Sequence, residues 1–194
     1  MSQEQKVAEN DPRLHNEWML LALGEAKRGL DAGEAPIGSV LIDCRGAIIG
    51  RGHNTMHASG IVTAHAEMNA FATAAQRVVS GEPIIMVSTL EPCVMCTGAA
   101  MQAGVTTILF GMRAPADSGT QRVHPPESPN ATSPRIIGDL AADESRALFY
   151  QWLEMHRGDP TRDQQREFIQ QLIALTTEGE KPKLPDEFLP HESA

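Results

Sequence analysis

A chain of 194 residues, 41% hydrophobic and 21% charged, fits one globular domain, alone or with an extension, and is long enough to close a substantial core. No apolar run approaches the ~20 residues that cross a bilayer, and residues 1–12 lack the cationic start and apolar middle of a secretory signal, so the expectation is a cytoplasmic protein with no membrane partner. The formal net charge of −9 weighs against a dedicated polynucleotide binder, because such affinity comes from lysine and arginine neutralising phosphates, although a basic patch can sit on an acidic protein.

After Asp11-Pro12, residues 14–30 set Leu14, Trp18, Leu21, Ala22 and Leu30 near helical spacing, which predicts an amphipathic helix ended by Gly33. Pro36 leads into two apolar runs, 37–42 and 47–50, joined through Cys44-Arg45-Gly46, the pattern of a β-hairpin. A polar loop with Asn54, His57, Ser59 and Gly60 precedes an alanine-rich helical segment, 64–79, with Gly81 and Pro83 marking its end; His65 and Glu67 fall in its first turn. Residues 84–90 read as a short, mostly apolar strand and 94–103 as a helix, which places Cys93 and Cys96 at a strand-to-helix junction; 106–110 read as a further strand. This alternation predicts an α/β fold, a three-layer α/β/α sandwich with helices on both faces of a sheet.

Residues 113–134, rich in proline, serine and glycine, form a candidate wall or lid, since so long a connection is commonly functional. Helical patterning returns over 139–157 and again over 161–176. The expected division is a flexible N-terminus (1–12), a catalytic domain (13–157), a helical extension (158–178) and a flexible proline-containing tail (179–194).

Three cysteines, Cys44, Cys93 and Cys96, are not a secreted disulfide framework; with one close pair they point to metal or redox chemistry. His65-Ala66-Glu67 and Pro92-Cys93-Val94-Met95-Cys96 are each weak signals alone. Together they are strong, because both sit at predicted helix N-termini, where one imidazole and two thiols can converge on an ion and the thiolate form is favoured. A closed structural zinc site needs four protein ligands and only three are evident nearby, which leaves a position for a catalytic water whose pKa zinc lowers to roughly 7. Glu67, two residues past the histidine, is placed to move the proton, and the combined pattern is the signature of zinc deaminases that act on bases.

These stretches resemble the cytidine deaminase-like superfamily, and within it the tRNA adenosine deaminase and guanine deaminase branch. The likeness is carried by Ala35-Pro36-Ile37-Gly38-Ser39-Val40, Gly52-His53-Asn54, Thr63-Ala64-His65-Ala66-Glu67, Leu90-Glu91-Pro92-Cys93-Val94-Met95-Cys96-Thr97-Gly98-Ala99 and Phe110-Gly111-Met112-Arg113, and covers about residues 14 to 157. It implies a mixed, about five-stranded sheet, one Zn2+ per chain held by His65, Cys93 and Cys96, and Glu67 as proton shuttle. It further implies that Asn54 hydrogen-bonds the substrate ring, that the backbone amides of Ala66 and Cys93 help hold the reacting water, and that the chain forms a homodimer.

The loop after Arg113 and the helix through Leu148 to Arg157 lack the compact turn and basic cluster of the tRNA-acting branch. The expected substrate is therefore a small nucleobase or nucleoside, with adenosine in a tRNA anticodon loop as the alternative and a non-catalytic zinc-binding module as a remote one. Asp117 reads as a solvated loop aspartate ahead of the alternative that it approaches a substrate amine from the long loop, Cys44 as incidental, and His53, His57 and His124 as loop histidines. Phe149, Tyr150 and Trp152 read as core or dimer-contact residues.

Overall fold

The computed structural model describes residues 11–74 and 82–176. Helix α1 (Pro12–Asp31) opens on an Asp11 side chain that accepts from the Arg13 N–H, with proline in the first turn, where its missing N–H costs nothing. It closes on Gly33 at φ +75°, with the Glu34 N–H reaching back to the Gly29 carbonyl in a Schellman turn. Strands β1 (Gly38–Asp43) and β2 (Ile48–His53) follow as the expected hairpin, with Asp43 Oδ1 accepting from the Arg45 and Ala47 N–H groups inside the turn. The remaining elements are the short helix α2 (Met56–Ser59), α3 (Ala66–Ala74), β3 (Ile84–Leu90), α4 (Val94–Gln102), β4 (Val105–Met112), β5 (Arg135–Ile137), α5 (Ala142–Met155), a 3₁₀ turn (Pro160–Arg162) and α6 (Asp163–Thr176).

The sheet has five strands in the order β2-β1-β3-β4-β5. β1 runs antiparallel to both β2 and β3, while β3, β4 and β5 are mutually parallel. A parallel pair needs a crossover: α4 supplies it between β3 and β4, and residues 113–134 supply it between β4 and β5. That is the physical reason for the long proline-rich connection.

Side-chain alternation along β1 and β3 separates two cores. Val40, Ile42, Ile85 and Val87 face Trp18, Met19 and Ala22 of α1; Leu41, Ile84 and Met86 face Ala70 and Ala74 of α3 and Ala100 of α4. With helices on both faces, every residue of β1 and β3 is buried. Gly50 and Gly52 let α3 lie directly on β2, since a Cβ at either position would run into backbone atoms of Ala66 or Ala70. A third cluster joins Leu90 and Met112, the last residues of β3 and β4, to Phe149 and Trp152 of α5 and to Ile169, Leu172 and Ile173 of α6.

Several expectations shift. The helix expected over 64–79 starts at Ala66 and is described to Ala74; 75–79 and Gly81 lie outside the described residues, as do 1–10 and the tail from 177. Pro12, counted with the N-terminal segment, begins α1. β4 is longer than 106–110, and β5 and α2 are additional. Residues 160–176 of the extension pack into the same core as α5.

Candidate active site

The site forms at the carboxyl ends of β3 and β4, where the loop after β2 and the starts of α3 and α4 meet. The loop is fixed to α3 by two amides. Asn69 Nδ2 donates to the His53 carbonyl (2.7 Å) and to Thr55 Oγ1 (3.0 Å), and Asn54 Oδ1 accepts from the Ala66 N–H (3.1 Å). His65 stands immediately before α3 and Glu67 in its first turn; Cys93 is the N-cap of α4 and Cys96 lies one turn in. The Ala66 N–H, expected to help hold the reacting water, here donates to Asn54.

His65 Nδ1 lies 3.6 Å from Cys93 Sγ and 3.7 Å from Cys96 Sγ, and the three donor atoms fall within 4.8 Å of one another. Tetrahedral zinc with Zn–S ≈ 2.3 Å and Zn–N ≈ 2.0–2.1 Å requires an S···N separation of about 3.6 Å, so the donor set fits zinc in both chemistry and spacing. The hydrogen bond from Cys96, only partly opposed by burial and reinforced by His65, holds the Cys93 thiol down at about 4, in its thiolate form. Cys96 is pushed up by the same interaction from the other side and by burial. His65 is raised, chiefly by its hydrogen bond with Cys93.

Glu67 is buried. Its Oε1 accepts from Ser88 Oγ at 2.7 Å, and its Oε2 lies 3.4 Å from Cys96 Sγ. Burial pushes its carboxyl above the usual range and the Ser88 hydrogen bond pulls the other way, the arrangement expected of a group that takes up and releases a proton. Ser88 was not singled out in the sequence; its one signal is a hydroxyl on a strand otherwise mostly aliphatic.

The wall from the long crossover is built on Glu91, a buried carboxylate. Its Oε2 accepts from the Ala114 N–H (3.0 Å), and its Oε1 from Ser118 Oγ (2.5 Å) and Thr120 Oγ1. The Gly119 N–H donates to the Pro92 carbonyl (2.9 Å), Ser118 pairs with Cys93 in an isolated antiparallel bridge, and a Cβ at Gly119 would strike the Cys93 carbonyl. The clamp brings Asp117 to the edge of the site, half-buried, with its carboxyl raised first by burial and then by the Cys93 charge. Asp117, read from the sequence as a solvated loop residue, is thus half-buried and lines the cavity.

A cavity of about 620 Å³ opens above these groups, within the usual range for small-molecule sites. Asn54, His65, Glu67, Cys93 and Asp117 line it, and so do His57, Phe149 and residues of α6. His53 instead lies 3.7 Å from the buried Glu25 carboxylate, which also meets Arg28 and Arg51; Trp152 is buried against His156; and Cys44 contacts Glu82 at the hairpin turn. No lysine or arginine lines the cavity among the described residues.

Fold and donor set together define the class: an α/β/α protein with a His–Cys–Cys set at two helix starts, suited to zinc, and a buried carboxylate beside it. Residues 12–112 match the family model of the cytidine and deoxycytidylate deaminase zinc-binding region, and the chain belongs to that family. It is 40% identical over 98 residues to a tRNA(Ile)-lysidine synthase of Deinococcus radiodurans, a match covering 48% of this chain and 16% of that protein. It is 36% identical over 95 residues to the tRNA-specific adenosine deaminase of Aquifex aeolicus, covering 48% of this chain and 62% of that one, so these matches span less than two thirds of either relative. Among solved structures, one from a study of A-to-I editing by tRNA:A34 deaminases superposes with a TM-score of 0.59 at 29% identity, covering 68% of this chain and 98% of that chain. A guanine deaminase of Nitrosomonas europaea shares the fold, with a TM-score of 0.59 at 20% identity over 78% of this chain and 93% of that chain.

Proposed function

We propose that the protein is a zinc-dependent hydrolytic deaminase that replaces an exocyclic amine of a nucleobase or nucleoside-sized heterocycle with a carbonyl oxygen and releases ammonia. The observation that carries this reading is the buried Glu67 carboxylate beside the His65–Cys93–Cys96 set on a cavity of small-molecule size. A purely structural metal site has no need of that carboxylate.

His65, Cys93 and Cys96 hold the metal, which when bound acidifies a water enough to make a nucleophile available near neutral pH. Glu67 takes the proton from the attacking water and delivers it to the ring nitrogen as the new C–O bond forms. It then takes the remaining proton from the newly added hydroxyl and passes it to the exocyclic nitrogen, so that the carbonyl forms and the C–N bond breaks with ammonia as the neutral leaving group. Ser88 holds Glu67 Oε1, which fixes the swing of the carboxylate. Asn54, its oxygen engaged by Ala66, offers its amide NH2 to an acceptor on the ring. The Cys93 backbone amide, at the start of α4, keeps its assignment to the reacting water.

The test is Glu67→Gln in zinc-loaded protein. It is expected to keep one zinc per chain and to lose ammonia release by at least a factor of about 10², the contribution of a positioned acid–base group. A second reading, adenosine in a tRNA anticodon loop, is favoured by the tRNA-acting relatives. It requires salt-sensitive binding of an anticodon stem-loop; absence of binding at low salt excludes it.

A further inference from the structure

Helix α6 lies wholly beyond the matched residues 12–112, yet it closes one side of the cavity. Gln164, Gln165, Phe168 and Ile169 all line it at the spacing of one helix face, joined by Thr161 of the preceding 3₁₀ turn. The same face continues through Leu172 and Ile173 into the core beside Phe149 and Trp152. The stripe thus changes chemistry along its length, from amides to an aromatic ring to aliphatic anchors. Docking alone would be served by apolar residues throughout; instead Gln164 is exposed and Phe168 is 39% exposed, both beside the cavity.

One of the amides is oriented. Arg162, buried in the 3₁₀ turn, donates from Nη1 to Gln165 Oε1 at 3.0 Å. A guanidinium only donates, so the amide oxygen is committed and the NH2 is the group Gln165 has to offer. The cavity therefore combines side-chain amides, of which those of Asn54 and Gln165 are oriented, three carboxylates, Glu67, Glu91 and Asp117, and an aromatic face, with no cation from lysine or arginine among its described lining residues.

We infer that α6 is the substrate-selecting wall: Phe168 covers the face of the ring, Gln165 donates to a ring carbonyl or unprotonated ring nitrogen, and the ligand is an uncharged aminated heterocycle without a phosphate. Arg162 is a positioning residue for Gln165. The inference rests on the deaminase reading for its chemistry, but the wall can be tested by binding alone.

Zinc-loaded Glu67→Gln protein, which leaves the ligand unconsumed, is titrated calorimetrically with guanine, adenine, cytosine, their nucleosides and the 5′-monophosphates. Phe168→Ala and Gln165→Glu are then added singly. The glutamate keeps an acceptor for Arg162 while replacing the donor, and neither change touches the anchors Ile169, Leu172 and Ile173. At least one base or nucleoside binds, each variant weakens it about tenfold, and the corresponding monophosphate binds at least about tenfold more weakly. Should Phe168→Ala unfold, Gln165→Glu carries the test. No binding by any member of the panel, unchanged affinity in the folded variants, or tighter binding of the monophosphate overturns the inference. Ammonia release by the otherwise unaltered protein is measured in parallel. Binding that depends on Phe168 without release refutes the deaminase reading and keeps the wall, whereas release with unchanged KM in both variants does the reverse.

Discussion

A buried carboxylate accepts hydrogen bonds and donates none while ionised, so its position depends on the donors around it. For Glu67 the described donors are the Ser88 hydroxyl and the Cys96 thiol. Ser88→Ala removes the first, and with a net value of about 1 kcal/mol for such a bond the expected outcome is a roughly five-fold fall in kcat with KM and zinc content unchanged, read by steady-state kinetics and metal analysis. Cys96→Ser removes a soft ligand, and the expected result is loss of bound zinc, with activity lost in parallel and not restored by added metal. That His65, Glu67, Cys93 and Cys96 come together was legible in the sequence because each motif is local and sits at the start of a helix. Ser88 was not, and Asp117 only as the lesser of two readings, since one reaches Glu67 from the sheet below and the other lies early in a crossover whose path no local pattern specifies.

Elements hold these residues at a fixed height above the sheet. Gly52 is the contact point of β2 with the first turn of α3, and Gly52→Ala puts a methyl group into the Ala66 carbonyl. The expected cost is about 1–3 kcal/mol of stability, together with weaker zinc retention as His65 is pushed away from the two sulfurs; thermal melting and zinc competition measure the two effects. Glu91→Gln tests the crossover wall. The carboxylate accepts from Ala114, Ser118 and Thr120, and a glutamine that keeps its oxygen on the Ala114 N–H turns its NH2 toward the two hydroxyls, which must then accept. A melting temperature lower by about 5 °C is expected as charge-assisted bonds give way to neutral ones. Most of these elements could be read from periodicity and punctuation, and β3 matches its expected range, 84–90, at both ends. β5 escaped because three residues carry no alternation pattern and owe their strand state to pairing with Thr107–Leu109 of β4.

Across the whole molecule, the acidic balance and the lining of the cavity point the same way. Nucleic-acid affinity draws on phosphate contacts, and this chain has a net charge of −9 with no lysine or arginine among the described lining residues. The C-terminal helix, a separate extension by sequence, shares a core cluster with α5 and the ends of β3 and β4. That union was hidden because the apolar stripe of α6 indicates that the helix docks somewhere, but not on what. Deaminase activity is tested most directly by ammonia release from zinc-loaded protein offered guanine, adenine, cytosine, their nucleosides and an adenosine-bearing anticodon stem-loop, with and without Glu67→Gln. Release from a free base or nucleoside that is lost in the metal-replete variant is the predicted result. Unchanged release in that variant, or no release from any member of the panel, contradicts it.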